Sequence, residues 1–205
     1  MLVLYFSFIF LGLVLGGIMF SNIIPKLFIK NDISLISDDR NPGAYNAFKY
    51  GGRKIGLLCL VLDFFKGFIP IFLATFFVDY NSLLFSLIFI APVCGHALGI
   101  FNHFHGGKCI TTSFGVLMAI IRINFWPLFF LACLYIFFSL IIKIESNKTK
   151  SIVVYSNLII LTIALFAYDF NYIAIGIIIV AIIVIFKHLN ISRRLNERMI
   201  NLKNN

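Results

Sequence analysis

The sequence predicts an all-α integral membrane protein: a bundle of about seven transmembrane helices, N-terminus outside and C-terminus inside. Three observations predict it. Of the 205 residues, 61% are hydrophobic and 12% charged, whereas a soluble domain is about half apolar and a quarter charged. Apolar runs of membrane-spanning length recur along the whole chain. With seven spans drawn, 15 of the 17 Lys and Arg residues fall on one side of the membrane, as the positive-inside bias requires.

The first run, residues 2–24, is ended by Pro25 and Lys26. It is apolar from Met1, without a basic leader or a small-x-small cleavage site, so it reads as a retained span and not a cleaved signal peptide. Residues 55–78 form the second span although they include Asp63 and Lys66, and residues 83–101 form the third. Residues 111–123 are short for a span. Residues 125–142, 151–168 and 172–186 complete the set. The inside segments are then 25–54, 102–113, 143–150 and 187–205. Arg122 alone lies outside, and Lys66 lies within a span. Omitting the short span would place the last two basic clusters on the side opposite the first, so charge argues for seven. The whole chain, 1–205, reads as one polytopic domain whose polar segments face the cytoplasm.

The net charge of +9 is in this setting a topology signal before it is a nucleic-acid signal, and no nucleic-acid partner is expected. It also favours anionic lipid headgroups or an anionic substrate. Cys59, Cys94, Cys109 and Cys133 show no CxxC spacing and read as small apolar residues. His103-x-His105 could chelate, but with Cys94, His96 and Cys109 it makes no recognised zinc spacing, so no metal is expected.

Four polar constellations carry the candidate chemistry. The segment 95–112 reads GHALGIFNHFHGGKCITT. Gly106 and Gly107 leave room for a ligand and can adopt positive φ. Lys108 adds a cation, and the helix expected from about Phe114 adds partial positive charge, with Thr111, Thr112 and Ser113 as possible caps. This is a phosphate-sized anion site, or else a tight turn carrying a snorkelling lysine. The loop 32–54 has turn formers at Asn41, Pro42 and Gly43, a glycine pair at Gly51 and Gly52, and Asn46, Lys49, Arg53 and Lys54 to face an anion. Asp63 and Lys66 share one face of the second span. They pair there either to orient the site or only to lock helices. The tail 187–198 is a basic amphipathic helix, with His188 and Asn190 where the last span meets the cytoplasm.

In order and spacing these segments resemble the acyl-phosphate:glycerol-3-phosphate acyltransferases of the bacterial PlsY type, over nearly the whole chain. The second family motif resembles GHxxPxFxxFxGGKGxAT. It is matched by Gly95, His96, Phe101, Phe104, Gly106, Gly107, Lys108 and Thr112, with Gly99 for the proline, Cys109 for the last glycine and Thr111 for the alanine. The first, like GSGNxGATNxxR…GKKxG…LDxxKG, is kept at Asn41, Gly43, Ala44, Asn46, Gly52, Lys54, Gly56, Leu62, Asp63, Lys66 and Gly67. Lys49 replaces the arginine, Arg53 the first lysine and Tyr45 the threonine. Asp38, Asp39 and Arg40 replace GSG, so Asp39 stands where the family has its serine. The third, like HxxNIxR, has His188 and Asn190 one residue closer, then Ile191 and Arg193.

The resemblance implies a fatty acyl phosphate donor, glycerol 3-phosphate as acceptor, lysophosphatidic acid as product and no cofactor. It implies catalytic roles for His188, Lys108 and Asn190, and substrate binding by Asn41, Gly43, Asn46, Lys49, His96, Gly106, Gly107, Thr112 and Arg193, beside the Asp63–Lys66 pair. It places the protein in a bacterial cell membrane, among membrane lipids. An acyl phosphate is already activated, so positioning and charge neutralisation can carry much of the reaction. Two other readings stand beside it: the same fold acting on a different acceptor, since an acidic pair suits a neutral or cationic one, and a non-catalytic binding or regulatory homologue. A transporter fits less well, because only one span carries a charged pair.

Overall fold

The computed structural model describes residues 1–166 and 172–203, with side chains described through 164 and over 172–190. The expected outer turn at 169–171 and the side chain of Arg193 lie outside the described residues. Among the described residues the chain is all helical. The helices are α1 (Leu2–Gly17), α2 (Phe20–Ile29), α3 (Ile33–Ile36), α4 (Ala44–Phe77), α5 (Leu83–Leu98), α6 (Ile110–Ala119), α7 (Trp126–Ile136, continued by a π-turn Phe137–Ile141), α8 (Asn147–Phe166) and α9 (Tyr172–Lys203).

α5 packs against α1, α4, α6 and α9. Its contact with α1 is a backbone-to-backbone approach that only glycines permit. A Cβ on Gly16 would stand 2.2 Å from the Pro92 carbonyl oxygen, and one on Gly95 would stand 2.3 Å from that of Leu13. With Gly12 four residues before Gly16, this is the small-xxx-small packing of membrane helices, where close van der Waals contact replaces hydrophobic driving force. α4 and α6 meet the same way, through Gly67 against the Thr112 carbonyl oxygen (2.3 Å) and Gly115 against that of Phe64 (2.1 Å).

α4 is apolar outward and polar inward. Gly56, Cys59, Asp63, Lys66, Gly67, Pro70, Ile71 and Ala74 are buried at helical spacing, while Leu57, Leu58, Val61, Phe65, Ile69, Leu73 and Phe76 are exposed. That is the pattern of a helix facing lipid on one side and a polar interior on the other.

Three expectations change. The first run is two helices, α1 and α2, bent by 41° at Ile18 and Met19. The loop 32–54 is largely helical: α3 is capped by the Asp32 side chain, and α4 already begins at Ala44. The glycine pair in it is a kink, with Gly52 at φ 82°, ψ 175°, a region essentially reserved for glycine. α6 starts at Ile110 and not near Phe114, from Cys109 at φ 65° with no side-chain cap, so Thr112 and Ser113 spend their hydroxyls inside the bundle. By length and apolarity, the described helices long enough to cross a membrane are α4 and Tyr172–Asn190 of α9, and a third if α1 and α2 count as one span. At about 1.5 Å per residue, the ten residues of α6 reach only halfway across.

Candidate active site

Three chain segments converge at one end of the bundle. The first is the turn before α4. There the Asp39 carboxylate accepts from the Asn41 backbone N–H (3.2 Å) and the Asn46 side-chain amide (2.7 Å), and Asn46 also donates to the Asn41 carbonyl (2.8 Å). This is an Asx turn tied to the first turn of a helix. Arg40 sits in the left-handed region at φ 48°, which turns the chain so that Asp39 and Arg40 both reach the site. Gly43 follows as the N-cap of α4, where a Cβ would meet the Asn41 amide nitrogen at 2.6 Å.

The second segment joins α5 to α6. α5 ends on Gly99 in the left-handed conformation, its N–H bonded to the Gly95 carbonyl at 2.9 Å. His103 and Phe104 are also left-handed, and Asn102 closes the loop by donating to the His105 carbonyl (2.8 Å). Gly106 and Gly107 then tuck under the end of α5. Neither takes positive φ. Their role is contact: a Cβ on Gly106 would lie 2.1 Å from the Ala97 carbonyl oxygen, and one on Gly107 would lie 2.2 Å from His96 Nε2. The buried His96 is thus the surface on which the glycine pair rests, and its carbonyl accepts the Gly107 N–H at 3.1 Å. This packing fixes the next residue, Lys108, whose Nζ lies 2.6 Å from Asp39 Oδ2.

The third segment is α9. Lys187 donates to the Ala97 carbonyl (2.8 Å), a cation at the C-terminal end of α5 where the helix dipole favours it. His188 is buried, with Nδ1 2.8 Å from the Val184 carbonyl oxygen. A carbonyl only accepts, so Nδ1 carries the proton and the neutral ring keeps its basic lone pair on Nε2. His188 also lies within electrostatic reach of Lys108 and Asp39.

Between these segments opens a cavity of about 930 Å³. Its wall includes Lys26, Arg40, His103, His105 and Lys187 with Asp32, Asp39, Ser34 and Asn102, together with the apolar residues Ala97 and Leu98 of α5 and Ile182, Ile183 and Phe186 of α9. Burial opposes ionisation of Asp39, but the hydrogen bond and charge of Lys108, with help from Asn46 and the Asn41 N–H, hold its carboxyl below the usual 3.8. Asp32 is held low in the same way by Lys26, 2.7 Å away, and Ser34, again against burial.

Of the residues singled out in the sequence, Gly106 and Asn190 line the cavity, Lys108 and Asn46 contact Asp39, and Asn41 and Gly43 build the turn that carries it. Four lie elsewhere. Lys49 pairs with exposed Asp38 at 2.7 Å and lies over the Tyr50 ring. Thr112 donates to the Asp63 carbonyl at 3.2 Å, inside the α4–α6 contact. The Asp63–Lys66 pair (2.8 Å) is buried at the α1–α2 break. Arg40, Lys26, Asn102 and Lys187 line the cavity without having been singled out as site residues. Arg40 beside the substituted serine position and Lys187 next to His188 were the available signals. The Asp39 charge is offset by Lys108, distant in sequence, while its near neighbour Lys49 pairs with Asp38.

The profile of the glycerol-3-phosphate acyltransferase family matches residues 6–197. The chain is 35% identical over 203 residues to a glycerol-3-phosphate acyltransferase of Thermotoga petrophila, covering 97% of each. It is 34% identical over 198 residues to one of Finegoldia magna, covering 95% of this chain and 96% of the relative. Among solved structures it superposes on the integral membrane glycerol 3-phosphate acyltransferase PlsY in its glycerol 3-phosphate form, with TM-score 0.79, 26% identity, and 95% and 93% of the two chains covered. The lysophosphatidic acid form gives TM-score 0.76 at 27% identity over the same shares. This chain belongs to the PlsY-type family of integral membrane glycerol-3-phosphate acyltransferases.

Proposed function

We propose that this protein transfers a fatty acyl group from an acyl phosphate to glycerol 3-phosphate, giving lysophosphatidic acid and inorganic phosphate. It works in a bacterial cell membrane that the chain crosses seven times, with the site open to the cytoplasm. The observation that carries this reading is a cavity whose wall joins the cations Lys26, Arg40 and Lys187 to apolar residues of α5 and α9. An acyl phosphate has two matching parts, and its tail can stay in lipid while its phosphate reaches water.

In this reading Lys108 neutralises phosphate as charge builds on the leaving group. Asn41, Gly43 and Asn46 keep the opposite wall in place, and His96 with Gly106 and Gly107 keeps Lys108 aimed. Asn190 lines the cavity that the acceptor would enter, and His188 lies within electrostatic reach of Lys108 and Asp39. The acceptor hydroxyl oxygen bonds to the acyl carbon, the bond from that carbon to the phosphate oxygen breaks, and the hydroxyl proton passes to His188 Nε2 or to the departing phosphate. Names support the same reading: the relatives are called glycerol-3-phosphate acyltransferases, and the solved PlsY structures are described as glycerol 3-phosphate and lysophosphatidic acid forms.

Purified protein in lipid nanodiscs, given glycerol 3-phosphate with palmitoyl phosphate or palmitoyl-CoA, tests it. Lysophosphatidic acid is expected with palmitoyl phosphate alone, and Lys108→Ala should abolish it at unchanged folded yield, because Lys108 is partly exposed and Asp39 keeps two other donors. No product from the wild type, beside an active Thermotoga petrophila relative, would sink the reading.

A further inference from the structure

Asp39 holds together the donors that a phosphate would use. Its two oxygens collect the Lys108 ammonium (2.6 Å), the Asn46 amide (2.7 Å) and the Asn41 backbone N–H (3.2 Å). A full cation, a side-chain amide and a main-chain N–H converging on one small anion make an anion site, and in this chain the anion is a side chain. The site also opens to the cavity: Asp39 is part of its wall, and the Asp39 and Lys108 side chains are 26% and 21% exposed. The carboxylate is therefore within reach of whatever the cavity admits. By contrast, Lys49 is held away by Asp38, so Lys108 is the cation that the resident carboxylate occupies.

We propose that Asp39 is a built-in competitor that occupies the phosphate cradle of Lys108, Asn46 and the Asn41 N–H, and that a substrate phosphate must displace it before acyl transfer. This rests on the acyltransferase reading for its kinetic consequence, not for its binding consequence. A phosphate monoester brings more charge and more acceptor oxygens than a carboxylate, so it can win the cradle, at reduced affinity. Once displaced, the Asp39 side chain lies beside the bound dianion and repels it. Asp39 thereby sets the affinity for phosphate groups. The shared ligand chemistry is a phosphate monoester, which either the donor or the acceptor could supply.

The test uses the whole protein in nanodiscs, with inorganic phosphate as the probe, titrated calorimetrically into the wild type, Asp39→Asn, Asp39→Ser and Lys108→Ala. Asn preserves the shape and one acceptor oxygen while removing the charge. Glu145→Gln, at an exposed position outside the cavity, controls for net charge. Both Asp39 variants should bind phosphate on the order of tenfold more tightly than the wild type, as expected for removing a like charge at close range. Glu145→Gln should match the wild type, and Asp39→Asn combined with Lys108→Ala should lose the gain. Folding is followed by the thermal transition of each variant. Should Asp39→Asn fail to fold, Asp39→Ser carries the comparison. Should both fail, the wild type carries the test: phosphate binding that leaves the Lys108 ammonium NMR signal, assigned by its loss in Lys108→Ala, unshifted overturns the proposal. Phosphate affinity unchanged or weaker in the folded Asp39 variants also overturns it, whether or not the protein makes lysophosphatidic acid. Where it does, a KM lowered at near-constant kcat for palmitoyl phosphate alone assigns the cradle to the donor, and for glycerol 3-phosphate alone to the acceptor. An absence of acyl transfer with the binding gain intact counts against the reaction and not against the cradle.

Discussion

Lys66 Nζ donates to the carbonyl oxygen of Ile18 at 2.5 Å. Ile18 sits at the break between α1 and α2, where a helical carbonyl has lost its own partner. Ser21, on the far side of the break, donates to Asp63, and Asp63 Oδ1 lies 2.8 Å from Lys66. The Phe20 ring is 5.7 Å from the ammonium. The charged pair in α4 is thus the joint on which the first span is bent, and the bend carries α2, with Lys26, to the cavity. In lipid, polar backbone freed by a break must be satisfied by neighbouring helices, and here one ion pair does so.

Lys66→Met should therefore cost about 3–5 kcal/mol, since it leaves the buried Asp63 carboxylate without its cation. Adding Asp63→Leu should recover part of that stability but not activity, because the joint at Ile18 stays uncapped. Thermal unfolding in detergent, read beside acyl transfer, separates the two. Equal loss of stability in the single and double variants would contradict the account.

The two conspicuous glycines should respond oppositely in cause. Gly107→Ala puts a methyl group 2.2 Å from His96 Nε2, so it should disturb Lys108 and lower kcat/KM steeply. Gly52→Ala meets nothing within 4 Å and pays only backbone strain, roughly 1–3 kcal/mol. Activity per folded molecule should survive at Gly52 and not at Gly107. The reverse order would mean that the glycine pair at 106–107 is not what aims the lysine.

The helical, apolar architecture was legible in the sequence because it follows from composition and from the length of the apolar runs. Apolar runs placed α5, α7 and α8 to within a few residues, the end of α4 and the start of α9, but α4 begins eleven residues before its expected span and α9 runs on past 186 into the basic tail. The site was legible as a set of segments, through Lys108, Asn46 and His188, since motif order survives without geometry. The bend at Ile18 was not, because an apolar run carries no mark of a carbonyl capped from another helix. The partner of Asp39 was not either: Arg40 and Lys49 are near in sequence, whereas Lys108 reaches it only because Gly107 rests on His96. The glycines looked like an open cradle, and the contacts that explain them are made by Ala97 and His96, nine and eleven positions earlier.

The charge partition predicts the topology. A membrane-impermeant maleimide applied to intact cells should label Asn81→Cys and should not label Arg40→Cys or Lys148→Cys until the membrane is opened. Labelling of Lys148→Cys from outside would remove the short α6 as a crossing and break the seven-span arrangement.

Acyl chain and phosphate should meet in the cavity, with the chain against its α5 and α9 walls. The most direct measurement is photo-crosslinking with a palmitoyl phosphate analogue carrying a diazirine along its chain, followed by peptide mapping. The account predicts adducts on Cys94, Ala97 or Leu98 of α5 and on Ile182, Ile183 or Phe186 of α9, suppressed by excess palmitoyl phosphate. Competable adducts confined to α7 and α8 would contradict it.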